Sequence, residues 1–172
     1  MARGDLDEVI RVSEEAMENG IAGLDGGVYG ARAAIWNGDA AAARRFRDRF
    51  AETSDARRAI ALVSTMDGGI AALEGRSSEA RVHYADAQRR WRELGCQLWL
   101  ALTDLDIVIT GAMEADERRR AVEEARGILT GLRATVLLDR LDRAEGDAGT
   151  GRKPSTPGAA VMDTAEAREV IG

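Results

Sequence analysis

The chain has 172 residues, 45% of them hydrophobic but only 4% aromatic, a balance rich in alanine and arginine that suits helices. A net charge of −6 with a single lysine disfavours a polyanion as the main partner, and one cysteine excludes an internal disulfide. The apolar clusters Ala59–Val63 and Leu98–Leu102 fall far short of the ~20 residues a bilayer requires, and the acidic N-terminal stretch has no secretory core, so the expected location is cytoplasmic.

Apolar spacing predicts helices in the following order. Asp5–Asn19 gathers Leu6, Val9, Ile10, Ala16 and Met17 on one side, with Asp5, Asp7 and Glu8 at its positive end. Gly27–Asn37 and Asp39–Glu52 form a hairpin, and Ser54 is positioned to cap Asp55–Glu74, which pairs with a helix from Ser77 or Ser78 to Leu94. Gln97–Thr110 and Ala115–Leu132 make the next pair, and Val136, Leu137, Leu138 and Leu141 a short terminal cap helix. Both prolines, Pro154 and Pro157, fall in the glycine-bearing stretch Glu145–Gly158, which divides the chain into a helical domain at 1–145 and a flexible tail at 146–172, with weak helical pattern at Met162–Val170.

Glycines punctuate these helices at Gly4, Gly38, Gly75 and Gly111, in steps of 34, 37 and 36 residues. Five residues later stand Val9, Ala43 and Ala80, and twelve later Ala16, Phe50 and Ala87, small residues for the most part that let helix backbones approach. With Leu73 before Gly75 and Tyr84 after it, the unit Gly69 to Tyr84 resembles a tetratricopeptide repeat. The resemblance implies an all-α, right-handed solenoid of antiparallel helix hairpins built from neighbour contacts. Gly4 leaves no room for a preceding helix, so the first repeat reads as severed, with Asp5–Asn19 as an N-terminal cap the alternative. The unit at Gly111 carries about five extra residues before Ala121 and reads as distorted.

The run Ala80–Gly95, then Trp99–Leu102, Ala125–Leu129 and Leu132–Leu138 resembles the C-terminal helical region of large bacterial regulators, which join an ATP-binding domain to a helical array and a nucleotide cyclase or helix-turn-helix domain. This likeness covers about Ala59–Ala144 and implies a signalling, protein-binding role with no catalytic residue. In tetratricopeptide geometry the concave groove is lined by the first helix of each pair, at Asp25, Arg32 and Trp36, then Thr65, then Leu98 and Leu105, becoming apolar toward its C-terminal end. Arg32 alone does not make a carboxylate clamp. Such a groove should be covered by a partner's protein segment, an adjacent regulatory domain, the tail around Val161 and Met162, or a second protomer.

Catalytic chemistry has little to work with. Cys96 and the lone His83 supply neither zinc spacing nor a nucleophile–base set, and both read as packing residues, so no metal, cofactor or enzymatic activity is expected. In Gly146–Ser155, Arg152 and Pro154 break the phosphate-loop pattern. Asp104 and Asp106 are out of place in the apolar run Leu102–Ile109 and read as a polar edge of the groove. Residues 26–60 carry a net +3, with Arg44, Arg45, Arg47 and Arg49 on one helix and Arg57 and Arg58 on the next; a nucleic-acid role for this face is the alternative function, against pairing with the acidic first helix.

Overall fold

The computed structural model describes residues 3–18, 24–51 and 57–149. Within them the chain is all-helical: α1 (Arg3–Glu18), α2 (Leu24–Asn37), α3 (Ala40–Ala51), α4 (Arg57–Leu73), α5 (Ser77–Glu93), α6 (Gln97–Thr110), α7 (Ala115–Gly131) and α8 (Thr135–Gly149). Each helix packs against the next, and the short connections make neighbours antiparallel.

The turns explain why the recurrent glycines matter. After α2 and α4, Gly38 and Gly75 adopt left-handed φ values of 81° and 75°. Each then closes a pair of hydrogen bonds: Gly38 N–H to Ile35 O and Asp39 N–H to Ala34 O, Gly75 N–H to Ala72 O and Arg76 N–H to Ala71 O. This is the Schellman arrangement, and it satisfies carbonyls that a helix end leaves without partners. Gly95 repeats it after α5 and Arg133, at φ 54°, after α7. Gly111, at φ 64°, makes only the simpler single bond to Ile107 O, and the chain takes Ala112–Glu114 to reach α7. That different cap is the physical form of the irregular spacing after Gly111. Gly4 lies inside the first turn of α1 rather than between helices.

The even-numbered helices α2, α4 and α6 touch one another, and α8 joins them against α6. Glycines let α4 approach its neighbours: a Cβ on Gly69 would stand 2.5 Å from Ile35 of α2, and one on Gly68 2.8 Å from the Tyr84 ring of α5. Ala43 of α3 and Ala80, Tyr84 and Ala87 of α5 are fully buried. One apolar cluster runs from α2 through α6 and a second from α4 through α8, and Trp36 packs against both.

The odd-numbered helices are bridged by long side chains: Arg45 to Glu14 at 2.7 Å, Arg81 to Glu117 at 2.7 Å, and Arg92 to Glu124 at 2.6 Å. Each exposed pair contributes about 0–1 kcal/mol, so the burial beneath them carries the stability.

Helix limits fall close to the apolar spacing, with two differences. α2 begins at Leu24, three residues before the glycine pair suggested, and the terminal cap is a full 15-residue helix whose Leu141 is completely buried. α8 therefore runs past Glu145 to Gly149, and a boundary at 145 would cut it. Ser54 and residues 150–172 lie outside the described residues, and with them the expected cap and the part of the 146–172 tail beyond Gly149.

Candidate functional site: a closed interior and an apolar edge

Asp104 and Asp106, flagged by their apolar surroundings, are both completely buried in α6. Asp106 accepts hydrogen bonds from Arg32 Nε and Nη2 of α2, each at 3.2 Å, and from Trp36 Nε1 at 2.6 Å. A carboxylate and a guanidinium out of water are tolerated only when they meet in this way. Burial pushes the Asp106 carboxyl up, while the Arg32 charge and the donors from Arg32 and Trp36 hold it down.

Aromatic rings sheathe the pair. Arg32 lies over the Trp99 ring at 5.3 Å, Trp99 stacks on Trp91 at 5.7 Å, and Arg140 of α8 sits 4.1 Å above Trp36. Beside them Trp91 Nε1 donates to Thr103 at 3.1 Å, and Thr103 and Thr65 share a bond of 3.2 Å. One polar layer thus ties α2, α4, α5, α6 and α8 together.

This layer is built from the residues expected to line an open groove. Arg32 is 7% exposed, Thr65 2% and Leu105 0%, and Trp36 is half-buried against Asp106. Along these positions the interior is filled by the chain itself, because α2 and α6 touch where a groove would hold them apart. Leu105 consequently has no surface to offer. Only Leu98, near the start of α6, stands exposed; the Asp25 side chain lies outside the described residues. The contact between α2 and α6 was within reach of sequence reasoning: a lone arginine in an apolar helix and buried aspartates in another need each other.

Asp104 is held differently. Gln88 of α5 donates to its Oδ1 at 2.6 Å, whereas Oδ2 has no protein partner. Burial, with help from the Glu124 charge, pushes the carboxyl up to about 7. Gln88 also lines a cleft of about 220 Å³ between α5 and α7, walled by Arg92 and Glu124 over Ile107.

Half-buried Cys96 packs at the edge of the first cluster, and the His83 ring lies 3.7 Å from Glu79 on its own helix. Among the described residues no group of three or more His, Cys, Asp or Glu side chains could hold a metal ion, and no helix is long and apolar enough to cross a membrane.

On the basic face Arg44 pairs with Glu74, Arg45 with Glu14, and Arg47 with Asp67 and Asp48. Arg49 shares a cleft with Glu14 and Glu18. The arginines of α3 are thereby drawn into the protein's own acids, the cheaper arrangement in an acidic chain.

Exposed apolar side chains concentrate at one end. The large ones among the described residues are Val12, Tyr29, Ile60, Val82, Leu98, Leu132 and Val136. Alternating helix direction puts the starts of α4, α6 and α8 and the end of α7 together, so Ile60, Leu98, Leu132 and Val136 share that end.

Compared with protein-family models, curated proteins and solved structures, the chain matches none.

Proposed function

We propose that this chain is a non-enzymatic protein-interaction module, a helical-hairpin solenoid of the tetratricopeptide kind whose partner docks on its outside. The observation that carries this reading is the gathering of exposed apolar side chains at one end of a molecule whose interior is already filled. The repeated left-handed turns at Gly38, Gly75 and Gly111 support the hairpin-repeat part of it. Surface apolar groups that collect rather than scatter are the usual mark of a contact site.

The regulator context implied by Ala59–Ala144 belongs to the same proposal: the module would supply protein contacts to a signalling assembly whose catalysis lies elsewhere. Nucleic acid is the weaker reading, because Arg44, Arg45 and Arg47 are engaged in ion pairs.

Affinity capture with the tagged chain from lysate of its source, read by mass spectrometry against a helical protein of matched charge, tests the reading. A partner retained in stoichiometric amount supports it. Retention of nothing beyond the control, or of nucleic acid alone, overturns it.

A further inference from the structure

Building on that interaction reading, we infer that the partner's seat is the edge made by the first turns of α4, α6 and α8, and that its occupant is an acidic amphipathic helix of another protein. The apolar part of this edge is Ile60, Leu98 and Val136, which are 40%, 43% and 63% exposed. Neighbouring helix axes lie about 8–10 Å apart, and α4 contacts α6 as α6 contacts α8. The three apolar positions therefore span about 20 Å, the length of a helix of about 13 residues.

Charge selects the occupant. Arg57 and Arg58 flank Ile60, and Arg133 precedes Val136; all three are exposed, and none has a carboxylate partner among the described residues. Most arginines elsewhere are engaged, as Arg76 is by Glu79, Arg81 by Glu117, Arg89 by Glu93 and Arg126 by Asp142. Cations without a carboxylate partner among the described residues, in a chain of net charge −6, are conspicuous where they cluster. The backbone of Arg133 is moreover held by its left-handed turn.

Helix polarity adds to the same sign. α4, α6 and α8 run parallel, so their positive ends point to this edge, and Cys96 gives the start of α6 no side-chain cap. Glu18 at the α1 side of this end repels an acidic ligand and confines it to the stretch from α4 to α8. Carboxylates meeting Arg57, Arg58 and Arg133 while leucines cover Ile60, Leu98 and Val136 answer both the cations and the apolar side chains of the edge, with the exposed Asp139 of α8 left uncovered.

The test uses the full chain and a fluorescein-labelled helical peptide of about 18 residues, built of glutamate with leucine on one face, read by fluorescence anisotropy. Saturable binding is expected, weakened about tenfold or more by the Arg57→Glu/Arg58→Glu/Arg133→Glu variant and by Leu98→Asp/Val136→Asp, and unchanged by Val82→Asp, which lies off the edge. Circular dichroism confirms that each variant is folded. Peptides with lysine for glutamate or serine for leucine should bind about tenfold more weakly or worse.

Equal binding of the lysine peptide, undiminished binding by the edge variants, or displacement by a single-stranded oligonucleotide overturns the assignment. So does a dimer in sedimentation that the same substitutions abolish, since a second copy would then fill the seat. A lysate partner that survives both edge variants rejects this edge while leaving the interaction reading intact; failure of the unmodified chain to retain any partner rejects the reading itself.

Discussion

Replacing Asp104 by asparagine should make the protein's stability less dependent on pH between 5 and 8. The unfolded carboxyl titrates near 3.9, while burial pushes the folded one up to about 7. Below about pH 4 both states are protonated and the group is neutral toward folding. From there to about pH 7 only the unfolded chain ionises, so stability falls as pH rises, and above 7 both states are charged and the loss levels off. Linkage with these two values gives a penalty of about 1.5 kcal/mol at pH 5 and about 4 kcal/mol at pH 8.

The difference, about 2–3 kcal/mol, should vanish in Asp104→Asn. Asparagine keeps an oxygen for Gln88, and any cost of its amide is the same at both pH values. Urea unfolding followed by circular dichroism at pH 5 and 8 measures it, and the variant comparison cancels other titrating groups such as Asp106. Asp86 lies outside the window, since Arg89, Arg90 and Ser64 hold it down to about 2 against desolvation. Identical pH dependence of variant and parent would refute the idea that Asp104 is buried without a charge partner.

Gly30→Ala and Gly127→Ala should act in opposite directions. Each lies inside a helix, where alanine is favoured by about 1 kcal/mol. A Cβ on Gly30 would come within 2.5 Å of the buried Phe46 ring and 2.8 Å of Ser13, so overpacking of about 1–3 kcal/mol wins and the variant loses stability. Gly127 faces open space, and its variant should gain about 0.5–1 kcal/mol. Chemical denaturation of both tests this. Leu141→Ala should cost about 2–5 kcal/mol in the same assay, because α8 docks through that fully buried side chain.

Much of the architecture was legible because turns and crossings are local. Gly38, Gly75 and Gly111 mark φ values that favour glycine, and Ala43, Ala80 and Ala87 mark close approaches, both readable one segment at a time. The state of the groove was not legible, because an open or closed interior depends on contacts between residues 70 or more positions apart, here Arg32 with Asp106 and Trp36 with Asp106. A repeat register says which side chains face inward; it does not say whether they meet. The aspartates in the apolar run were the available signal, and their reading as a groove edge lacked only the requirement that a buried carboxylate find a cation. The exposed end was not visible as such: Leu98 read as part of the groove, Val136 as part of a cap helix and Ile60 as one residue of the apolar cluster Ala59–Val63, with nothing local to say that they stand together at one end.

The central claim is that the molecule closes upon itself through the Arg32–Asp106 pair, so that partners must use its outside. A double-mutant cycle with Arg32→Met, Asp106→Leu and the combination, by urea denaturation at pH 7, tests this most directly. A closed interior predicts that each single change costs about 3–5 kcal/mol by leaving an unpaired buried charge or orphaned donors, and that the double variant recovers most of the loss. Single changes that each cost under about 0.5 kcal/mol and simply add would mean a solvated pair and an open groove, contradicting the account.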